Sequence, residues 1–198
     1  MIVACGALVS ELRAVLGQVA ASGGVEMRFL PANLHNRPEG IVPALREHLD
    51  AAREEGREVF VGYADCGTGG ALDRLLEGHP GVARLPGAHC YEFFAGADVF
   101  ALLHDEEPGT FYLTDFLAKH FRPLVWAGLG LDRHPQLRDD YFGAYRRVVL
   151  LSQAGDDAVL AAAAEAAAML GLPLEHRHTG LGHLADAIPV TVRMAGAA

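Results

Sequence analysis

The sequence has no cluster of lysine and arginine, no apolar stretch of membrane-spanning length and only three cysteines. Each shortage excludes something. Gripping a nucleic-acid backbone or an anionic membrane needs clustered cations. This chain instead carries a formal charge of −9, with a pI near 5.5. The longest apolar segment, Ala158–Leu172, is interrupted by Glu165 and is too short to cross a bilayer. The N-terminus, MIVACGALVS, lacks a positively charged leader and reads as a first strand, not a signal peptide. A cytoplasmic protein is expected, with neither nucleic acid nor membrane as partner. Three cysteines in a reducing compartment are then ligands or buried thiols, not disulfides. No P-loop, GxSxG, HExxH or CxxC pattern is present, and no GxGxxG follows the first strand.

What is there is enough apolar residue for a full core: 51% of the 198 residues are hydrophobic and 21% charged. Hydrophobic periodicity predicts a βα rhythm through the first half. Strands are expected at Ile2–Cys5, Val25–Leu30, Glu58–Tyr63 and Val82–Leu85. Helices are expected at Ala7–Ala21 (closed by Gly23 and Gly24), Pro38–Glu55, Gly70–Leu76 and Tyr91–Leu103. Short connections of this kind imply a parallel sheet with helices on both faces. The second half is less regular. Gly109–Leu113 reads as a strand or extended segment, Asp115–Phe121 as a helix, and Pro123–Leu131 as either strand or buried helix. Pro135–Tyr145 reads as helix, Arg147–Ser152 as strand, Asp156–Leu170 as helix, Leu172–His178 as strand and Gly180–Ala187 as a short helix, with a fraying tail. The expected architecture is one α/β domain over residues 1–198, a three-layer Rossmann-like or flavodoxin-like parallel sheet, with a helical elaboration around 104–145.

The cysteines are the most informative residues. Cys5 in ACGAL, Cys66 in GYADCGTGG and Cys90 in LPGAHCYEFF each stand where a strand hands over to a helix. In open parallel sheets, ligands bind beyond the carboxyl ends of the strands. In flavodoxin-like order, 2-1-3-4-5, the strands preceding these cysteines are neighbours. Helix N-termini are expected to lower their thiol pKa values. Cys5, Cys66 and Cys90 are therefore candidate metal ligands. A [4Fe–4S] cluster with one open iron is the first choice of cofactor. Zinc is the second, closed by His89 or left open. Three buried thiols packing as small apolar residues, or thiol chemistry without metal, are the alternatives.

Two further loops carry polar groups. LPANLHNRPEG follows the second strand and offers Asn33, His35, Asn36 and Arg37. The segment GLGLDRHPQLRDDYFGAYRR offers Asp132, Arg133 and His134. His35 and Arg133 are the candidate ligand-binding residues, through hydrogen bonding and anion pairing. His176 and His178 share one face of the last strand, as metal ligands or, more simply, as a solvent face.

The ordered set ACGAL, LPANLHNRPE, GYADCGTGG, LPGAHCYEFFAG, EPGTFYLTDF and GLGLDRHPQL resembles the family catalogued as domain of unknown function 1638. The resemblance runs from about Ile2 to Leu181, and the family's cysteine positions match Cys5, Cys66 and Cys90. Members are often encoded near corrinoid-dependent methyltransferase systems. The resemblance thus implies a metal- or Fe–S-binding protein of one-carbon metabolism, serving corrinoid methyl transfer or related redox chemistry. Its partner would be a small-molecule substrate or a corrinoid or methyltransferase protein. The other reading is a non-enzymatic accessory or chaperone that docks on such a partner.

Overall fold

A computed structural model describes residues 1–21 and 24–188. The helix-closing role expected of Gly23 and the fraying tail at 189–198 lie outside the described residues. The chain divides into two compact units, Met1–Phe93 with His183–Ala198, and Phe94–Gly182. Each has its own parallel sheet flanked by helices, the α/β layout of Rossmann-like and flavodoxin-like proteins.

In the first unit, β1 (Ile2–Cys5) pairs with β2 (Met27–Leu30) on one side and β3 (Phe60–Gly62) on the other. β3 pairs in turn with β4 (Ala83–Arg84). The order β2-β1-β3-β4 matches the first four positions of the flavodoxin-like arrangement. β1 is buried along its whole length, which is why it reads as an unbroken apolar run. Ala4 lies opposite Gly62, and a Cβ added at Gly62 would meet the Ala4 Cβ at 2.5 Å. These two strands therefore touch only because position 62 has no side chain.

The helices of this unit follow the apolar spacing, with local corrections. Helix α1 (Val9–Ala21) is interrupted at Gly17, where φ is 40° and ψ is −116°. Helix α2 (Ile41–Glu54) buries Ile41, Leu45, Leu49 and Ala52, and Pro38 opens a 3₁₀ turn before it, not its first α-turn. Helix α3 spans Ala71–Glu77. The helix expected from Tyr91 to Leu103 is two helices, α4 (Cys90–Ala95), which begins in this unit, and α5 (Ala97–Glu106), which belongs to the second. Gly96 separates them with φ of 85° and ψ of 141°, a conformation that glycine alone adopts readily.

In the second unit, β6 (Arg147–Ser152) is central, buried throughout, and flanked by β5 (Thr110–Leu113) and β7 (Leu174–His178). A fifth strand was expected beside the fourth. It pairs instead with β6, which offers all four residues of β5 a partner, whereas β4 has only two paired residues. Helix α6 (Asp115–Lys119) is capped by Thr114, whose Oγ1 accepts from Leu117 N at 3.3 Å. Residues Arg122–Trp126 form a π-helical turn, resolving the ambiguous Pro123–Leu131 segment in favour of a helical form. Helix α7 (Arg138–Phe142) follows a 3₁₀ turn, and α8 (Asp157–Leu170) runs from an Asp156 cap to a left-handed Gly171. Leu113, Phe121, Leu131, Phe142, Leu150 and the alanine face of α8 form one core cluster. The short helix α9 (Leu184–Ala187) returns to the first unit, where it packs on α1 and His183 N donates to Phe93 O at 2.9 Å.

Candidate thiol site at the carboxyl edge of the first sheet

Cys5 is the last residue of β1. Its sulfur accepts a hydrogen bond from Ala7 N at 3.3 Å and so caps the 3₁₀ turn Gly6–Leu8. Gly6 follows because a Cβ there would lie 2.9 Å from Leu30 O, and the chain leaving β2 crosses at that point. That chain folds into two 3₁₀ turns, Ala32–Asn36 and Pro38–Gly40. They set His35 against the first cysteine, with Nδ1 at 3.7 Å from Cys5 Sγ.

The tautomer of His35 follows from its other contact. Nδ1 lies 3.1 Å from Ala32 O. A carbonyl oxygen only accepts, so Nδ1 carries the hydrogen and Nε2 carries the lone pair. Dense surroundings lower the His35 pKa, although the residue keeps an exposed edge, and the nearby His89 pushes the same way. The ring is therefore neutral at ordinary pH.

Cys66 sits in a tighter structure. It is the one described non-glycine residue with positive φ, at 50°. Gly67, Gly69 and Gly70 also have positive φ. Asp65 ties this loop together: its carboxylate accepts from Thr68 Oγ1 at 2.7 Å, Gly70 N at 2.8 Å and Gly69 N at 3.0 Å. Burial alone would raise the Asp65 pKa, but these hydrogen bonds outweigh it and hold the carboxyl below its usual range. The loop after β4 is stitched to this one. Asp65 N donates to Gly87 O at 3.1 Å and Cys66 N to Ala88 O at 2.9 Å. Arg84 holds that second loop by donating to Leu85 O at 2.7 Å, while Asp73 fixes its guanidinium through contacts of 2.6 and 3.0 Å. Glu92 accepts from Ala88 N at 2.9 Å, a structural role at the start of α4, the helix that Cys90 opens.

The three cysteines end or follow β1, β3 and β4, which are adjacent in the sheet. All are unpaired. Their acidity departs from the sequence expectation. Burial pushes the Cys5 thiol up to about 11 and, with the charge of Cys5 added, the Cys66 thiol up to about 12. Cys90 is partly exposed as a residue, yet burial of its thiol is again the largest influence and raises its pKa. The Ala7 N–H does favour the Cys5 thiolate, but one backbone donor is outweighed by desolvation. Without a bound cation, all three are neutral thiols at pH 7. Among the described residues, no three His, Cys, Asp or Glu side chains are grouped so as to hold a metal ion. Soft sulfur donors nonetheless suit thiophilic metals, and metal binding displaces thiol protons.

Sequence reasoning missed Tyr63. It is 1% exposed, directly after β3, with its ring stacked on His35 at a centroid distance of 6.0 Å and 15° between planes. Its hydroxyl has no partner in hydrogen-bond geometry. Burial, followed by the proximity of Cys5, raises the phenol pKa far above its usual value. The available signal was alternation: Tyr63 follows Gly62 in a buried strand that leads into Cys66.

Arg133, the other predicted ligand contact, belongs to the second unit, where its exposed guanidinium is 3.9 Å from the neighbouring Asp132. In the same unit, His176 Nε2 and His178 Nδ1 both reach Ser152 Oγ, at 2.8 and 3.1 Å. Ser152 is fully buried, so this is an anchor between β6 and β7, not an accessible nucleophile.

No described helix is long and apolar enough to cross a membrane. The family described as "Protein of unknown function (DUF1638)" matches residues 29–188. No curated protein and no solved structure matches the chain.

Proposed function

From the premise that this chain belongs to the DUF1638 family, we propose that it binds a thiophilic metal centre through Cys5, Cys66 and Cys90 and serves one-carbon metabolism. The observation that carries the reading is the placement of three unpaired cysteines at the βα turns that follow three neighbouring strands of one parallel sheet. A [4Fe–4S] cluster is the first choice, because three thiolates leave one iron open to a substrate. Zinc is the second, with a nitrogen or a water as fourth ligand. His35 stands beside Cys5 with Nε2 unprotonated, so it is suited to accept a hydrogen bond or to ligate. A bound centre would supply Lewis acidity or an electron relay. The protein's own residues would exclude water, hold the sulfurs and orient the ligand. The corrinoid-linked methyl-transfer setting, with a small molecule or a corrinoid or methyltransferase protein as partner, belongs to the same proposal and rests on the family resemblance.

The test is purification without oxygen, followed by metal and acid-labile sulfide analysis and visible absorbance. Iron with equal sulfide and a broad visible band supports the cluster; stoichiometric zinc with no colour supports the second choice. Protein that holds neither, and takes up neither on reconstitution, overturns the reading. Serine at any one of the three cysteine positions is expected to abolish retention.

A further inference from the structure

Ser152 ends β6 and lies opposite His178 in the register of β6 with β7. It is fully buried, and its hydroxyl has two partners, His176 Nε2 at 2.8 Å and His178 Nδ1 at 3.1 Å. The surroundings hold this joint in place. Thr179 N, Gly180 N and Thr179 Oγ1 all donate to Ser152 O, at 2.9, 3.1 and 3.1 Å, and fix the chain leaving β7 against the end of β6. Gly155, with φ of 65°, closes over the hydroxyl, where a Cβ would lie 3.0 Å from Ser152 Oγ and 3.2 Å from His178 Nδ1. Both histidines are exposed. Among the described residues, His176 Nδ1 and His178 Nε2 meet no hydrogen-bond partner. Each ring therefore has one nitrogen on Ser152 and one left over for a ligand. The pair stands near the carboxyl edge of a parallel sheet, where such sheets take ligands.

A shared hydroxyl couples the two rings. Serine has one hydrogen to donate and lone pairs to accept with. With both rings neutral, Ser152 satisfies both contacts only by donating to one ring and accepting from the other. If it donates to His176 Nε2, both rings carry their hydrogens on Nδ1. If it donates to His178 Nδ1, both carry them on Nε2. In either arrangement one outer nitrogen is a donor and the other an acceptor, and a shift of hydrogens through Ser152 exchanges the two roles.

We propose that His176, Ser152 and His178 form a proton relay that interconverts the keto and enol forms of a small carbonyl compound. Such a ligand gives up a proton at its α-carbon and takes one at its oxygen, which is what an acceptor and a donor side by side supply. His178 Nε2 takes the α-hydrogen as a proton. The electron pair of the broken C–H bond forms the C=C bond, and the carbonyl π pair moves to oxygen. The His178 Nδ1 proton passes to Ser152 Oγ, the hydroxyl proton to His176 Nε2, and the His176 Nδ1 proton to the carbonyl oxygen. The enol is formed, nothing is oxidised or reduced, and the rings are left in the other arrangement. The same steps in reverse restore the keto form and the starting rings. His176 and His178 are the catalytic residues; Ser152, which touches no substrate, is a positioning residue. The relay is independent of the thiol site.

The experiment uses the full chain in D2O at about pH 8.5, well above the usual imidazole range, with pyruvate as the probe. Loss of the pyruvate methyl signal from the proton spectrum reports breakage of the C–H bond. The parent chain is expected to exchange pyruvate roughly a hundredfold faster than the double variant His176→Gln, His178→Gln, the lower end of what acid–base catalysis supplies. Each single variant is expected to lose as much as the double, because a relay without one end passes nothing. Both positions are exposed, so these substitutions spare the core. Ser152→Ala keeps both rings, breaks the bridge and is expected to show the same loss. Nitrogen-15 spectra of the histidines are expected to give His176 and His178 the same tautomer ratio. A parent chain no faster than the double variant overturns the site. Losses that multiply, as for two independent imidazoles, or a Ser152→Ala chain as fast as the parent, overturn the relay, and so do opposite tautomers on the two rings. None of these outcomes touches the metal reading.

Discussion

At the scale of the residue, Cys66 carries two stresses, a left-handed backbone and a buried thiol. They can be separated. Replacing Cys66 by alanine removes the thiol and keeps the strain; replacing it by glycine removes both. Cys66→Gly is therefore expected to be more stable to urea than Cys66→Ala by about 1 kcal/mol, the cost of a Cβ in the left-handed region. Equal midpoints, or a less stable glycine variant, would show the backbone there to be relaxed. The thiols also set a pH dependence. In the metal-free protein the folded pKa of Cys5 is about 11, above the value of about 8.5 for an unfolded cysteine. Between these values the unfolded chain releases a proton that the folded chain keeps. The stabilisation is thus complete below about pH 8.5 and is lost as pH rises through the folded value. Urea midpoints are expected to fall across that window, and less steeply in Cys5→Ser. Alkylation by iodoacetamide is expected to stay slow at pH 8 for the same reason. His89 bears on coordination. It is exposed beside Cys90, and His89→Ala is expected to retain the metal of the parent protein; complete loss would make His89 a ligand.

At the scale of the element, the loop after β6 is built on one carboxylate. Asp115 accepts from Gln153 N at 2.9 Å and Ala154 N at 2.7 Å, and Gln153 Oε1 accepts from Asp115 N at 3.0 Å. Asp115→Ala is expected to cost about 2–3 kcal/mol, the worth of buried hydrogen bonds to a charged acceptor, read as a lower urea midpoint with unchanged slope. This loop also marks how far sequence reading reaches. The strand Arg147–Ser152 and the helix capped by Asp156 were legible because each is long, periodic and punctuated. The division at Gly96 was not, because a lone glycine in a helical pattern is as often tolerated as not. Nor was the destination of β5, since pairing depends on how many residues a neighbour offers, which periodicity does not encode. At the thiol site, the three cysteines were legible from their place after strands. Their raised pKa values were not: the sequence shows the helix that would favour a thiolate but not the depth of burial that opposes it. Tyr63 escaped because an unsatisfied hydroxyl is a property of surroundings.

At the scale of the molecule, two sheets in two compact units imply two centres of stability. The core around β6 and α8 is a self-contained cluster drawn from the second unit. Leu150→Ala removes a fully buried side chain from that cluster, at an expected cost of roughly 2–5 kcal/mol. Native-state hydrogen exchange is expected to report the loss chiefly between residues 94 and 182, with β1 and β3 keeping their protection to a greater degree. Uniform loss across both sheets would mean that the chain opens only as a whole.

The contact between Ala4 and Gly62 has a consequence for variation. β1 ends in Cys5, and β3 ends at Gly62, four residues before Cys66. The spacing of the strands that lead to the first two cysteines is thus gauged just below them, by a methyl group that is missing. Chemical change at the thiols leaves that gauge untouched. Gly62→Ala, which alters no donor and no charge, wedges the strands apart and resets it. A survey that scores only cysteines would count such a chain as intact, although its spacing had been rewritten.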